Sequence, residues 1–139
     1  MPIAIALAMI AAGCASDAAS SSSTSATTSP TAPATTESFS GSLVQLGSAS
    51  NPFIVAATGT VTIGLTDIGP LTTMALGVGI GTWNGTTCSS ALTKNDNARA
   101  GATALSGTAT AGNYCVTVYD SGNIPDGQTV TFTVSVAHS

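Results

Sequence analysis

From residue 38 onwards, apolar side chains alternate with threonine, serine or glycine in one short segment after another. Residues 129–136, for example, read TVTFTVSV. This period of two places the apolar side chains on one face of a β-strand, whereas an amphipathic helix needs a period of 3.6, which no window of the sequence shows. We therefore expect half-buried strands throughout this region and an all-β fold.

Turn signals rich in glycine, asparagine and proline separate these segments. About seven to eight short strands in a domain of this size are typical of an antiparallel β-sandwich, jelly-roll-like or Ig-like, and a small closed barrel is the alternative. The expected domain covers residues 38–139. Its strand candidates are residues 39–46, 52–58, 60–66, 74–81, 102–109, 114–120 and 129–136.

Residues 1–13 have the features of a bacterial signal peptide. The run PIAIALAMIAAG, residues 2–13, is uncharged and apolar but too short to span a bilayer. It leads into AAGC, residues 11–14, which resembles the lipobox of bacterial lipoproteins. The resemblance implies cleavage before Cys14 and lipidation of that residue. Because Ala15 stands where an aspartate would favour the inner membrane, we expect the outer membrane or cell surface, with a secreted protein as the alternative.

Residues 14–37 begin with the lipidated cysteine and continue as a low-complexity segment. After Cys14, 13 of the 23 residues are serine or threonine and six are alanine. None of these side chains is large enough to offset the entropy of ordering the chain. We therefore expect a disordered tether between the membrane and the folded domain.

The charge balance excludes several classes of partner. The chain has two basic and six acidic residues, one histidine and a formal net charge of −4. This leaves no basic surface for nucleic acid or for electrostatic docking to anionic lipid. The only membrane contact expected is through the N-terminal lipid.

Two of the three cysteines remain for the folded domain. Cys88 is expected in the loop after residues 74–81, and Cys115 lies in the strand candidate 114–120. In an exported protein such a pair forms a disulfide. The alternative, a reactive thiolate or a metal ligand, needs a nearby histidine or a third cysteine, and the only histidine, His138, is expected to lie in a frayed tail.

Four segments of the domain resemble the bacterial pre-peptidase C-terminal domain. They are FIVAATGTVTIGLT at 53–66, MALGVGIGTWNGTTC at 74–88, AGNYCVTVYDSGN at 111–123 and TVTFTVSV at 129–136. In the third, Gly112 and Tyr114 match that family's Gly-x-Tyr pattern. The resemblance implies a β-sandwich that is normally a non-catalytic appendage of secreted hydrolases, with a role in secretion, stability or substrate adhesion.

Some relatives of that family, the collagen-binding modules of clostridial collagenases, bind Ca²⁺ through carboxylates at strand ends. Residues 95–97 and 120–126 of this chain likewise carry carboxylate and amide oxygens, which are the ligands that Ca²⁺ needs. Turn formation is the alternative role, because Asp, Asn and Gly also favour β-turns. No cofactor other than calcium is expected. The calcium candidates are Asn95, Asp96, Asp120 and Asp126.

We find no catalytic motif in the sequence: there is no Gly-x-Ser-x-Gly elbow, no His/Cys metal cluster and no phosphate-binding loop. Trp83 and Tyr119 are candidates for ligand contact, since flat aromatic faces stack on sugar rings. The alternative is that Trp83 packs over the glycines of neighbouring strands. Two functions therefore remain: a tethered, non-catalytic interaction or structural module with a protein partner, and a carbohydrate- or matrix-binding module.

Overall fold

A computed structural model of the protein describes residues 34–139, and for residues 90 and 91 the backbone alone. The predicted signal peptide, the lipidation at Cys14 and the tether up to residue 33 lie outside this range. No helix among the described residues is long and apolar enough to cross a membrane. The strands are β1 (Thr35–Val44), β2 (Ser48–Val55), β3 (Gly59–Gly69), β4 (Ala75–Trp83), β5 (Cys88–Arg99), β6 (Ala102–Ala109), β7 (Gly112–Tyr119) and β8 (Thr129–His138).

The strands form two four-stranded antiparallel sheets. Sheet A has the order β1-β8-β3-β6 and sheet B the order β2-β7-β4-β5. Every connection except the β4–β5 hairpin passes from one sheet to the other, which is the two-sheet arrangement of a jelly roll. The predicted β-sandwich is confirmed, in its jelly-roll form and with open sheet edges in place of a closed barrel.

The apolar residues of the alternating segments face the inside of the sandwich, and the polar residues between them face outward. In β3, Val61, Ile63 and Leu65 are buried, while the intervening Thr62 and Gly64 are partly exposed. In β8 the buried set runs from Val130 to Val136 in the same way. Within residues 34–139, the buried core residues lie between residues 43 and 136.

One strand was absent from the sequence-based assignment. Cys88 begins β5 and does not lie in a loop, and Asn95 and Asp96 belong to the same strand. The β4–β5 pairing shifts register twice, between Leu76 and Val78 and between Ile80 and Thr82. These irregularities remove the simple alternation, because each one moves the following side chains to the other face.

The first strand begins at Thr35, ahead of the expected domain start at residue 38. Thr35 pairs with His138, and Glu37 pairs with Val136. Backbone pairing with β8 stabilises this polar start of β1, although its side chains add little to the core.

The sandwich has two ends, which the connections define. The end where the described chain begins, here the proximal end, carries Thr35, Ser139 and the loops 56–58, 84–87 and 110–111. The opposite, distal end carries the loops 45–47, 70–74, 100–101 and 120–128.

Candidate functional site

A single carboxylate organises two loops of the distal end. Oδ1 of Asp120 accepts hydrogen bonds from the backbone N–H groups of Gly122, Asn123 and Ile124 at 2.8 to 3.0 Å. Its Oδ2 accepts one from the N–H of Leu46 at 3.0 Å, in the loop between β1 and β2. Burial disfavours the charged carboxylate, but these four donors outweigh burial and lower the pKa of Asp120 below its usual value.

Leu46, which this carboxylate holds, combines two unfavourable features. Its φ is 59°, in the left-handed region that few residues other than glycine and asparagine adopt. Its side chain is 83% exposed, and Val44 beside it is 56% exposed. A leucine in the left-handed conformation with its side chain in solvent does not stabilise the domain. Leu46, with the exposed Val44 beside it, is therefore a candidate for contact with another molecule.

The four calcium candidates have separate roles. Asp120 is bound by backbone donors, and Asp126 is exposed in the 120–128 loop. The amide of Asn95 donates to the carbonyl of Ala104 at 3.0 Å, linking β5 to β6. Among the described residues, no group of three or more His, Cys, Asp or Glu side chains is placed to hold a metal. Of the four, Asp120 binds the backbone of a turn, whereas Asn95 and Asp96 lie in β5.

Asp96 is the partner of Tyr119, one of the predicted ligand contacts. The Tyr119 hydroxyl donates to Oδ1 of Asp96, and Lys94 lies 3.3 Å from Oδ2. Partial burial and the neighbouring carboxylate raise the pKa of Tyr119 to about 12. The Tyr119 ring packs on Gly77 of β4, so the aromatic residue that covers this glycine is Tyr119.

Trp83, the second predicted contact, borders an open cavity of about 450 Å³ at the proximal end. The tryptophan is half-buried. Ile54 is 64% exposed and pairs with Asn113 across β2 and β7. The sequence did not indicate this grouping, because its members come from four strands and meet only through the register. Besides Trp83 the cavity is lined by Glu37, Pro52, Phe53, Ile54 and Asn113.

His138 is buried in β8, so the expectation of a frayed tail is wrong. Its side chain is 5% exposed, and its ring lies 5.4 Å from the ring of Phe53, which in turn stacks on Tyr114. Nε2 of His138 lies 2.8 Å from Oε1 of Glu37. The pairing of β8 with the early start of β1 holds this residue in the sandwich.

The predicted disulfide is confirmed between Cys88 and Cys115. It joins the first residue of β5 to β7, two strands that both pair with β4 and not with each other. The Thr117 hydroxyl donates to Sγ of Cys88 at 3.3 Å. The bond therefore fastens one edge strand of sheet B, β5, to the interior strand β7.

Comparison of the sequence with protein-family models gives no match, and comparison with curated proteins gives none either. The structure is similar to the pre-peptidase C-terminal domain of a Bacillus anthracis collagenase, with a TM-score of 0.50 and 17% identity over 72% of this chain and 87% of that one. The domain has the fold of a pre-peptidase C-terminal domain. A periplasmic inhibitor of g-type lysozyme from Aeromonas hydrophila is similar too, with a TM-score of 0.51 and 19% identity over 73% of this chain and 84% of that one.

The tyrosine of the Gly-x-Tyr motif in β7 has a structural role. The Tyr114 side chain is buried against Phe53, and its hydroxyl donates to the carbonyl of Thr110 at 2.9 Å. The tyrosine thus joins the core to the loop that precedes its own strand.

Proposed function

We propose that this protein is a non-catalytic binding module of the bacterial cell envelope, anchored by a lipid on Cys14, whose distal end binds a protein partner. The observation that carries this proposal is Leu46, which is exposed, held in a strained conformation by Asp120 and located at the end of the sandwich opposite the tether.

The direction of the first strand supports this arrangement. The tether joins the domain at Thr35, and β1 then runs ten residues to the distal end. At about 3.3 Å per residue, this strand places the distal loops roughly 30 Å beyond the point of attachment. A flexible tether of about 20 residues adds a mean reach of roughly 25 Å. The distal end would therefore face away from the membrane.

The disulfide supports a location outside the cytoplasm, because such bonds persist in oxidising compartments. One fold neighbour is a periplasmic protein, which agrees with this location. The anchor itself is tested by intact-mass analysis of protein extracted from host membranes. We expect a diacyl or triacyl chain that begins at Cys14 and gains two daltons on reduction, and an unmodified soluble chain would overturn the anchor.

The contacts of three titratable side chains support a non-catalytic role. His138 packs on Phe53 and pairs with Glu37, Asp120 binds backbone donors, and Asp96 binds Tyr119. Each of these groups stabilises the fold through the contact that it makes. A general acid or base needs instead to face a reacting group.

The charge of the domain favours a basic partner. The described residues include five acidic side chains and two basic ones, and the ammonium of Lys94 is paired with Asp96. One fold neighbour inhibits g-type lysozyme, so a g-type lysozyme is the first partner to test. Opposite charges on the two proteins would raise the association rate at low salt.

The test is a calorimetric titration of g-type lysozyme with the chain from residue 15 onwards, which keeps the whole core. We expect Leu46→Asn to weaken binding at least tenfold, because an exposed anchor side chain is lost. Leu92→Asn is the matched control, since Leu92 is 63% exposed but lies in β5. Equal loss in both variants would contradict a distal site.

If lysozyme does not bind, a photo-crosslinking amino acid at position 46 in the native host tests the surface without a chosen partner. We expect a discrete protein adduct at position 46 and none at position 92. Adducts of the same proteins at both positions would overturn the proposal that the distal end is the binding site.

A second candidate function is carbohydrate binding at the Trp83 cavity. The half-buried indole and the exposed Ile54 give an apolar wall, and Asn113 and Glu37 place polar groups beside it. Titration with peptidoglycan fragments tests it. Binding that is lost in Trp83→Ala and retained in Leu46→Asn would favour this function over the first.

A further inference from the structure

The four loops of the distal end lie in a row across the sandwich, because each joins two strands that hold the same position in the two sheets. Adjacent strands are about 4.8 Å apart, so the row is roughly 15 Å long. Leu46 lies at one end of it, and Arg99, the last residue of β5, lies at the other. In order from the edge formed by β1 and β2, the loops are 45–47, 120–128, 70–74 and 100–101.

Arg99 is exposed and carries a cation that no described carboxylate pairs with. The two ion pairs of the described residues are those of Lys94 and His138. Nη1 of Arg99 donates to the carbonyl of Thr73 at 2.8 Å. A guanidinium has five N–H donors in a planar fork, and this is the one that a described residue engages. The other donors are available to an acceptor on another molecule.

The acidic side chains near Arg99 in the fold already have other donors or lie apart from it. Asp96, in the same strand, accepts from Tyr119 and lies beside Lys94. Asp120 accepts from backbone N–H groups of two loops. Asp126 is exposed in the 120–128 loop and forms no ion pair with a described residue. A carboxylate for Arg99 therefore has to come from outside the described residues.

Hydrogen bonds between segments hold the surroundings of Arg99 in place. The bond to Thr73 fastens the end of β5 to the 70–74 loop. The side-chain amide of Asn123 donates to the carbonyl of Ala75 at 3.0 Å, which fastens the 120–128 loop to the start of β4. A guanidinium that is already oriented loses less conformational entropy when it binds a ligand.

An apolar rim borders the guanidinium. Leu71 and Pro125 are exposed, come from neighbouring loops and line the same open surface depression as Arg99. Asn97, two residues earlier in β5, adds an exposed amide to it. A glutamate side chain or a peptide C-terminus carries its carboxylate next to apolar carbon atoms, so both of its parts find a matching group here. Carboxylates also accept two parallel hydrogen bonds from one guanidinium.

We propose, building on the distal binding site proposed above, that Arg99 is a second anchor of that site and binds a carboxylate of the protein partner that covers Leu46. Specific interfaces bury about 800 Å² on each partner, which is wide enough to include both residues. The acidic domain attracts a basic partner, and a single cation at a fixed place determines the orientation in which that partner docks. Arginine is also among the residues that most often dominate binding energy.

A coupling experiment in the native host identifies the group opposite Arg99. Lys94 is the only lysine of the chain, so Lys94→Arg/Arg99→Lys moves the only side-chain amine to position 99. A carbodiimide joins an amine directly to a carboxylate that touches it. We expect an amide between position 99 and the protein that photo-crosslinks at position 46. Mass spectrometry of the joined peptides distinguishes a side-chain carboxylate from a C-terminal one. The parent chain, with its amine at position 94, is the control and should not couple to that protein.

Titration with the purified partner measures the contribution of Arg99. Arg99→Gln should weaken binding about tenfold or more, and Arg99→Lys should weaken it less, because the charge stays while the planar fork is lost. Lys94→Gln is the matched control, since Lys94 is an exposed cation in the same strand, and it should bind as the parent chain does. The midpoint of thermal unfolding reports separately on the lost bond to Thr73. Unchanged binding in Arg99→Gln would overturn the proposal.

The outcomes distinguish this anchor from the distal site itself. A protein that crosslinks at position 46 but does not couple at position 99 would overturn the role of Arg99 and leave the distal site standing. Coupling at position 99 only to carboxylates of this chain, or to a different protein, would overturn it too. Absence of adducts at both positions would overturn both proposals.

Discussion

The aromatic ring of Tyr119 lies on Gly77, so close that no side chain larger than hydrogen fits beneath it. Tyr119 and Gly77 are paired across β7 and β4, and the ring reaches over β4 to Asp96 in β5. Three strands of sheet B are thereby connected on the outer face by one side chain. The arrangement depends on glycine at position 77.

Gly77→Ala should destabilise the domain by about 1–3 kcal/mol, because the added methyl group displaces the Tyr119 ring. Urea unfolding followed by tryptophan fluorescence measures the change. Gly107→Ala is the control, since its new methyl group enters open space. If both variants lose the same amount of stability, the cause is the changed flexibility of the strand and not the displacement of the Tyr119 ring.

Alkaline titration should show a late transition from Tyr119. The pKa of Tyr119 is raised to about 12, above its ordinary value of 10.0. Tyr119 therefore contributes stability that is fully present below pH 10 and is lost as the pH rises through about 12. Ultraviolet absorbance should show the late transition disappear in Tyr119→Phe. Asp96→Asn should lower that pKa only in part, because burial is the larger cause.

Acid should loosen the distal end through Asp120. Its pKa is lowered from 3.8, so its contribution to stability is present above pH 3.8 and is lost as the pH falls through the folded-state value. Asp120→Asn should cost about 2–3 kcal/mol at pH 7, since charge-assisted hydrogen bonds are weakened. The difference between variant and parent should shrink as the pH falls below 3.8. Unfolding midpoints across pH 2 to 7 measure it, and a constant difference would be evidence against the carboxylate.

Leu46→Asn should stabilise the domain by about 0.5–1 kcal/mol, because asparagine adopts the left-handed conformation more readily than leucine. Chemical unfolding of the parent chain, Leu46→Asn and the control Leu92→Asn measures this. A gain at position 46 that coincides with lost partner binding would show that the domain gives up stability for function. A destabilised Leu46→Asn would mean that the leucine supports the fold.

Removal of the disulfide should lower the free energy of unfolding by about 3–4 kcal/mol, the loop-closure value for a sequence separation of 27. The double variant Cys88→Ala/Cys115→Ala is compared with the parent under reducing and oxidising conditions. We expect the reductant to destabilise only the parent. A reductant effect on the double variant would point to a cause other than this bond.

Much of the fold was predictable because alternation is a local property. The inward residues of β3 and β8 could be read from the sequence, and the cysteine pair followed from the expected compartment. β5 was not predictable, since its register shifts with β4 erase the period. The Trp83 cavity and the His138–Glu37 pair were missed for a different reason: their members lie far apart in the chain and meet only through strand order.

The orientation of β1 also determines how the domain would carry a mechanical load. A membrane tether would pull at Thr35, and a partner bound to Leu46 would pull just beyond Val44, at the other end of the same strand. Because both points of force lie on this one strand, tension would run along the backbone of β1 itself, and its ten paired positions with β8 would not be sheared. This one strand would then carry the force that enters through Leu46 between the membrane and the bound protein, and the rest of the sandwich would bear almost none of it.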